Sequence, residues 1–461
     1  MTARVLSPWL EAELRTVPEI EVFSTVDELA EDLADLARRH PDVATLRRVG
    51  TSRLGEPLTA LTVGDAEADA LVFGLPHPNE PIGGLSAIHL ARRLCEDSAL
   101  RDRLGLRWHI IACIDPDGLR LNEGWLKGPF TREHYARNFY RPAGDEQVEW
   151  TFPLDYKSAY FDAALPETTA IMRLIDQTRP ALMGSLHNSE VGGVYYYLSR
   201  PEPALHEVLQ AIPAALGLSL DRGEPESPSM QRFADGIFRM PDLETLYDYS
   251  EQHGHELPAS FGGNSSASYA RPYETLTVLS ELPYWDDPRI ADDSASTVSY
   301  AAALREQAAG FRELFGWLDG VMSATEADLT PTSAYVRASR FYTRLLEPWP
   351  ERMEERAAEP GSLRPATVAE VVSLRGSVHM FRLRYAGMLL RALDAEVALG
   401  NVTRAVREQR ARLAAQYDAW VAEDGAVTPA RVLPIRALVA NQYGALLAAA
   451  DHLATHRGAG S

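Results

Sequence analysis

Four short stretches of nearly unbroken apolar residues, LVF at 71–73, LRWHIIACI at 106–114, ALMGSL at 181–186 and TLTVL at 275–279, punctuate the first 290 residues of the chain. Side chains alternate across a strand, so a run that is apolar at almost every position needs cover on both faces. Residues 82–94, 165–178 and 203–216 carry apolar residues at helical spacing and can supply that cover. Strands of this kind alternating with helices predict an α/β fold, a mixed, largely parallel sheet flanked by helices. Ahead of it, residues 45–49 and 58–63 alternate with period two about a Gly-containing turn and predict a β-hairpin. Ser24 or Thr25 can cap a preceding helix that Pro41 stops.

From residue 299 the pattern changes to long helices, at 299–322, 335–346, 367–399, 403–421 and 430–453, with Pro- or Gly-containing breaks and no internal repeat. Three parts are therefore expected: an extension over residues 1–21, an α/β domain over 22–290 and an all-α helical domain over 291–461. The helical domain reads as a bundle for stability or homo-oligomerisation, the alternative being a cap over a site.

A formal net charge of −20 and a pI near 5.1 exclude nucleic acid and anionic membrane as partners, since both need a basic surface. Cys95 falls in a helical pattern and Cys113 in an apolar strand, so both read as buried, reduced thiols. The first residues lack the apolar core of a signal peptide and no apolar run reaches the ~18 residues of a membrane span, so a cytoplasmic chain is expected.

The polar residues that follow the apolar runs carry the chemistry. Gly74 and Pro76 break the first run and throw His77 and Glu80 onto a turn (HPNE); the third run delivers His187 (SLHNSE); the last presents Glu281 (VLSEL). Groups just beyond the carboxyl ends of strands in an open α/β sheet meet in one crevice. Two imidazoles and a carboxylate suit zinc and leave a fourth position open for water. Of the other histidines, His109 lies inside an apolar strand, His89 on a helix, and His253 and His255 in a polar loop. DPDG at 115–118 is a turn, and the polar, irregular stretch 124–146 after it has the length of a functional loop.

In order along residues 22–290, these motifs resemble the zinc carboxypeptidase family, the carboxypeptidase A-like metallopeptidases. GTSRLGEP at 50–57 is similar to its Gly-x-Ser-x-x-Gly-x-Pro hairpin, HPNE to its zinc motif and DPDG to its Asn-Pro-Asp-Gly turn. YARNF at 135–139 resembles its Asn-Arg-Asn segment, while SLH and VLSEL resemble the strands with the last zinc histidine and the catalytic glutamate. The resemblance implies one zinc per chain on His77, Glu80 and His187, and Glu281 as general base and then general acid. It implies that Arg120 polarises the scissile carbonyl, with Arg132 and Arg141 as competitors, and that Arg137 and Asn138 grip a substrate carboxylate. Ala136 stands where the family has the first asparagine of that segment. The family's mobile tyrosine belongs a few residues before Gly262-Gly263, where this chain reads HELPASF, so Tyr249 or Tyr269 is the substitute. Side-chain specificity falls at Ser265 and Ser266, which are neither acidic nor bulky.

The activity implied is zinc-dependent hydrolysis of an amide bond next to a free carboxylate, in a peptide or small N-acyl amino acid. A specialised amidohydrolase of a small biosynthetic or cell-wall substrate is the second reading, and a non-catalytic zinc-bearing scaffold the third.

Overall fold

A nine-stranded mixed sheet forms the centre of the molecule. The structure, a computed structural model, describes residues 6–255, 262–427 and 429–458. The strands are β1 (Ala44–Thr51), β2 (Pro57–Val63), β3 (Asp69–Gly74), β4 (Arg107–Ile111), β5 (Leu182–Leu186), β6 (Tyr195–Leu198), β7 (Arg232–Ala234), β8 (Ile237–Arg239) and β9 (Leu276–Glu281). Their order is β1-β2-β4-β3-β5-β9-β6-β8-β7. The central block β4-β3-β5-β9 is parallel, and so is β6-β8; the remaining four pairings are antiparallel. The sheet is therefore evenly mixed, with its parallel part where the apolar runs lie. Every residue of β3, β5 and β9 is buried, as a strand covered on both faces requires.

The expected hairpin is the antiparallel pair β1 and β2. The helix before it runs Val26–Arg39 and starts with a capping box, in which Thr25 accepts from the Glu28 N–H and Glu28 accepts from the Thr25 N–H. Helix Ile82–Glu96 packs on β3 so closely that a Cβ on Gly74 would lie 2.7 Å from the Gly83 carbonyl, and a Cβ on Gly83 would lie 2.8 Å from Leu186. Only glycine permits that approach. DPDG opens the short helix Pro116–Arg120, whose Gly118 N–H donates to Asp115. Cys95 and Cys113 are free thiols; Cys95 is buried as expected, whereas Cys113, just past the end of β4, is only half-buried.

The helical region comprises Tyr300–Thr325, Ala334–Leu346, Trp349–Ala358, Val368–Ala398, Arg404–Val427 and Ile435–Gly458. Sequence periodicity missed Trp349–Ala358, whose segment WPERMEERAA is mostly polar. The last helix returns to the sheet. It packs on β5, β9 and the helices Ile82–Glu96 and Pro203–Leu216, and Leu446 fills the space that the missing side chain of Gly184 leaves. One apolar core runs from Val72 and Leu186 through Leu389 to Leu446, so the boundary expected at residue 290 does not divide two cores. No described helix is long and apolar enough to cross a membrane.

Two buried histidines contribute to the acid sensitivity of this core. Burial, with Arg92 and Arg93 nearby, lowers His89 from its ordinary 6.5 to about 4. Burial, with Arg382 and Arg132 nearby, does the same to His379. Below pH 6.5 the unfolded chain takes up protons that the folded chain refuses until about pH 4, so stability is complete above 6.5 and falls as pH drops through that window. His89→Gln and His379→Gln are expected to flatten the fall of Tm between pH 6.5 and 4. An unchanged slope in calorimetry would exclude these two groups as its cause.

Candidate active site

Three neighbouring parallel strands, β3, β5 and β9, end together at one edge of the sheet, with Gly74 level with Leu186. His187 is the residue after β5, and Glu281 is the last of β9. After β3 the chain turns sharply through Leu75, which takes a left-handed φ of 57° that costs strain in a side-chain-bearing residue. The Glu80 N–H then donates to the His77 carbonyl at 3.1 Å, closing the tight turn from which both side chains project. Ligand atoms of His77, Glu80 and His187 all lie within 4.8 Å of one another. These three side chains and Glu281 are buried, at 2%, 2%, 5% and 7% exposure.

Each ligand is oriented from behind. His187 Nε2–H donates to Ser185 Oγ at 2.9 Å, because the Ser185 hydroxyl proton goes on to Glu149 Oε2 at 3.0 Å. Ser266 donates both its N–H and its hydroxyl to the other Glu149 oxygen, at 2.8 and 2.6 Å. That relay fixes the imidazole tautomer and leaves His187 Nδ1 facing Glu80 Oε2 at 3.3 Å and Glu281 Oε1 at 3.8 Å. Two acceptors so close need a proton or a cation between them. Arg141 Nη1 and the Asn188 N–H donate to Glu80 at 2.8 and 3.1 Å, and the Trp150 indole donates to His77 Nε2 at 3.3 Å. His77 Nδ1 is buried without a hydrogen-bond partner. An orphaned imidazole nitrogen beside a His and a Glu that share one approach fits a divalent cation of the zinc type.

The electrostatics agree with that fit. Burial, then Arg141 and His187, hold His77 well below its ordinary pKa, so its imidazole is neutral and available as a ligand. Burial would raise Glu80, but Arg141, His187 and the Asn188 N–H overbalance it and keep the carboxylate ionised. Glu281 is pushed well above the carboxylate range, first by burial and then by Glu226 and Glu80, against the pull of Arg141 and Arg384.

Ser185→Ala removes the relay without touching a ligand. It is expected to weaken zinc affinity roughly 10–100-fold in chelator competition while Tm changes little. Equal affinity in the variant would mean that the relay is incidental.

Helices beyond residue 300 build the wall of this site. Arg384 on Val368–Ala398 forms a buried ion pair with Glu190, three residues past His187. The Gln442 side-chain amide on Ile435–Gly458 donates to the His187 carbonyl at 2.6 Å. Tyr342 and Tyr385 stack at 4.2 Å; the Tyr342 hydroxyl donates to the Pro142 carbonyl and accepts from Gln147, which in turn accepts from Arg141 Nε at 3.0 Å. The helical region is thus more than an appended bundle, since it braces Arg141, Glu190 and His187.

Several expected site residues stand elsewhere. Arg120 is drawn to the surface by Asp27, Glu56 and Glu123, at 2.7, 3.0 and 3.4 Å. Arg137 pairs with Glu133 and Asp418 and lies over the Tyr417 ring, and the Asn138 amide donates to the His134 carbonyl. Arg132 is buried on Asp424 and Glu190. The Tyr269 hydroxyl is spent on Asp176, and Tyr249 packs on His253. Ser266 acts through Glu149, behind His187, and the HELPASF segment lies outside the described residues apart from His255. Of the arginines considered, Arg141 is the one in contact with the His-Glu-His cluster. Ser185, a small polar residue two before His187 in an apolar strand, was a usable signal; Glu149, on an irregular stretch, gave none.

One edge of the sheet thus carries a His-Glu-His cluster of the kind that holds a divalent cation, with a carboxylate beside it. Residues 29–253 match the model of the zinc carboxypeptidase family, and that part of the chain is a domain of this family. Glu281 lies outside the matched span. No curated protein matches the chain. Among solved structures it is similar to carboxypeptidase A from Helicoverpa armigera, with 18% identity, a TM-score of 0.38, and 60% of this chain and 71% of that one covered. It is also similar to a metallo-carboxypeptidase from Burkholderia cenocepacia (14%, 0.35, 56% and 60%). A third likeness is to bovine thrombin-activatable fibrinolysis inhibitor (13%, 0.35, 56% and 86%). These likenesses are too remote to bear on substrate.

Proposed function

We propose that the chain is a zinc-dependent hydrolase of an amide bond next to a free carboxylate, with one zinc held by His77, Glu80 and His187. The observation that carries this reading is the convergence of those ligand atoms within 4.8 Å of one another, with Glu281 3.8 Å from His187. When bound, zinc supplies Lewis-acid polarisation of water and of an amide carbonyl. Glu281, on rigid strand β9, accepts the proton of the attacking water and passes it to the leaving amine. Its raised proton affinity suits a group that must first take a proton and then hold it. Arg141 spends Nη1 on Glu80 and Nε on Gln147, which leaves Nη2 for an oxygen of the substrate, carbonyl or carboxylate.

The substrate class is a peptide or a small N-acyl amino acid. The burial of all four central side chains and the tyrosine wall of Tyr342 and Tyr385 favour the small, specialised substrate. Elemental analysis of wild type beside His77→Ala, with hydrolysis of a mixed panel of peptides and N-acyl amino acids, tests the proposal. About one zinc per chain, lost in the variant together with activity, is the expected result. A wild type without zinc, or with full activity after metal stripping, would overturn it.

A further inference from the structure

An apolar cavity borders the metal turn. Past β9 the chain pairs Trp285 with Val432, just ahead of the last helix, and the Leu433 N–H donates to the Tyr284 carbonyl at 2.9 Å. These segments, with residues 20–23 and 129–130, surround a space of about 180 Å3. Six rings line it, those of Phe23, Trp125, Phe130, Tyr135, Tyr284 and Trp285. The Tyr284 hydroxyl donates to the Asn79 carbonyl at 2.7 Å, between the ligands His77 and Glu80 in the chain. The cavity is a neighbour of the zinc crevice and no part of it, since none of His77, Glu80, Arg141, His187 and Glu281 is among the described residues that line it.

Interiors are close-packed, and voids much larger than a water molecule are few. An apolar void of about 150 Å3 is already enough to take up benzene. Trp285 is 4% exposed, yet its indole N–H has no acceptor among the described residues, whereas the Trp125 indole in the same cluster donates to Asn122 at 3.2 Å. A buried donor left unpaired is costly, and an acceptor on an occupant would relieve it. The rim offers a way in. Val432 is 53% exposed, and Val22, between the lining residues Glu21 and Phe23, is 38% exposed, in a chain that leaves few large apolar side chains to solvent. Glu21, exposed at the rim, is the one charged side chain among the described lining residues. No cation there can neutralise an anion, and an unpaired N–H is the wrong partner for a cationic group.

We infer that this cavity is a binding site, separate from the zinc crevice, for a small neutral molecule: one aromatic ring that carries a hydrogen-bond acceptor. The ring packs among the six that line the cavity, edge to face or offset, and the acceptor takes the Trp285 indole N–H. A single substituted ring matches the volume, and two rings exceed it.

Three probes of one shape test this on the full chain by calorimetric titration. Acetophenone, α-methylstyrene and 1-phenylethylammonium carry a carbonyl, a methylene and an ammonium group at the same place beside the same ring. Acetophenone should bind to the wild type, and benzophenone, with its second ring, should not. Trp285→Phe keeps a ring and removes the N–H, so it should lower the ratio of acetophenone to α-methylstyrene affinity about fivefold, the usual worth of one hydrogen bond. Ile20→Trp fills the cavity from its rim and should abolish the binding of both while Tm holds or rises. No binding of acetophenone, an unchanged ratio in Trp285→Phe, binding retained in Ile20→Trp, or tighter binding of the ammonium would overturn the site. Self-association that acetophenone fails to displace and Val432→Lys abolishes would also overturn it, in favour of a second copy of this chain. Metal-stripped chain should bind acetophenone as the zinc-loaded chain does, so the result stands apart from the hydrolase reading.

Discussion

Glu281→Gln is expected to bind zinc as the wild type does and to lose roughly 10²–10⁴-fold in kcat, the usual worth of a positioned general base. The substitution is nearly isosteric and removes one charge from a place where two carboxylates already crowd each other. Folding should therefore suffer little, and Tm should rise slightly, because the buried carboxyl is held above its ordinary range by burial, Glu226 and Glu80. KM should change far less than kcat, since Glu281 acts on the proton in flight and not on the resting substrate. A variant that keeps a tenth or more of wild-type kcat would move the base to another residue. A variant that loses zinc would make Glu281 a fourth ligand.

The four central residues were legible because each follows or ends a strand that the local apolar pattern reveals. His77, Glu80, His187 and Glu281 are brought together by strand order, and strand ends are local facts. The arginines were not legible in the same way. Arg120 and Arg137 stand at motif positions, yet the fate of a long cationic side chain is decided by which carboxylates approach from elsewhere in the chain. Asp27 and Glu56 claim Arg120 from 93 and 64 residues away, and Asp418 claims Arg137 from 281. Arg141 reaches Glu80 from an irregular stretch whose next residues, Pro142 and Gln147, are held by Tyr342 from 200 and 195 residues away. Spacing along a chain carries no information about such meetings.

The helices past residue 300 were legible as helices and illegible as walls. Their 3.6-residue patterns announce an apolar face without saying what it meets. Gly184 and Leu446 make the point: a glycine inside an apolar strand gains meaning only once a leucine from the last helix is seen to fill the space above it. Arg384, on a helix whose apolar residues lie almost all round, was the visible anomaly, since a buried cation implies a buried acid, here Glu190.

Arg384→Ala should be among the most damaging substitutions outside the site's own ligands. Arg384 and Glu190 are both buried, and removing one member of such a pair strands the other charge at a cost of about 3–5 kcal/mol. Arg132, 3.7 Å from Glu190 and shared with Asp424, offsets only part of that. The damage should extend beyond stability, because Glu190 sits three residues after His187 and its carbonyl accepts the Tyr284 and Trp285 N–H groups that follow β9. Displacing it loosens both the last ligand and the strand end that carries Glu281. Zinc affinity and kcat should therefore fall together with Tm, whereas a merely appended helix would lose Tm alone. The double variant Arg384→Met with Glu190→Gln leaves no orphaned charge and should recover much of the Tm, so that a thermodynamic cycle shows strong coupling. If the two single substitutions prove additive, or if Arg384→Ala binds zinc and turns over as the wild type does, the helical region supports the fold without supporting the site.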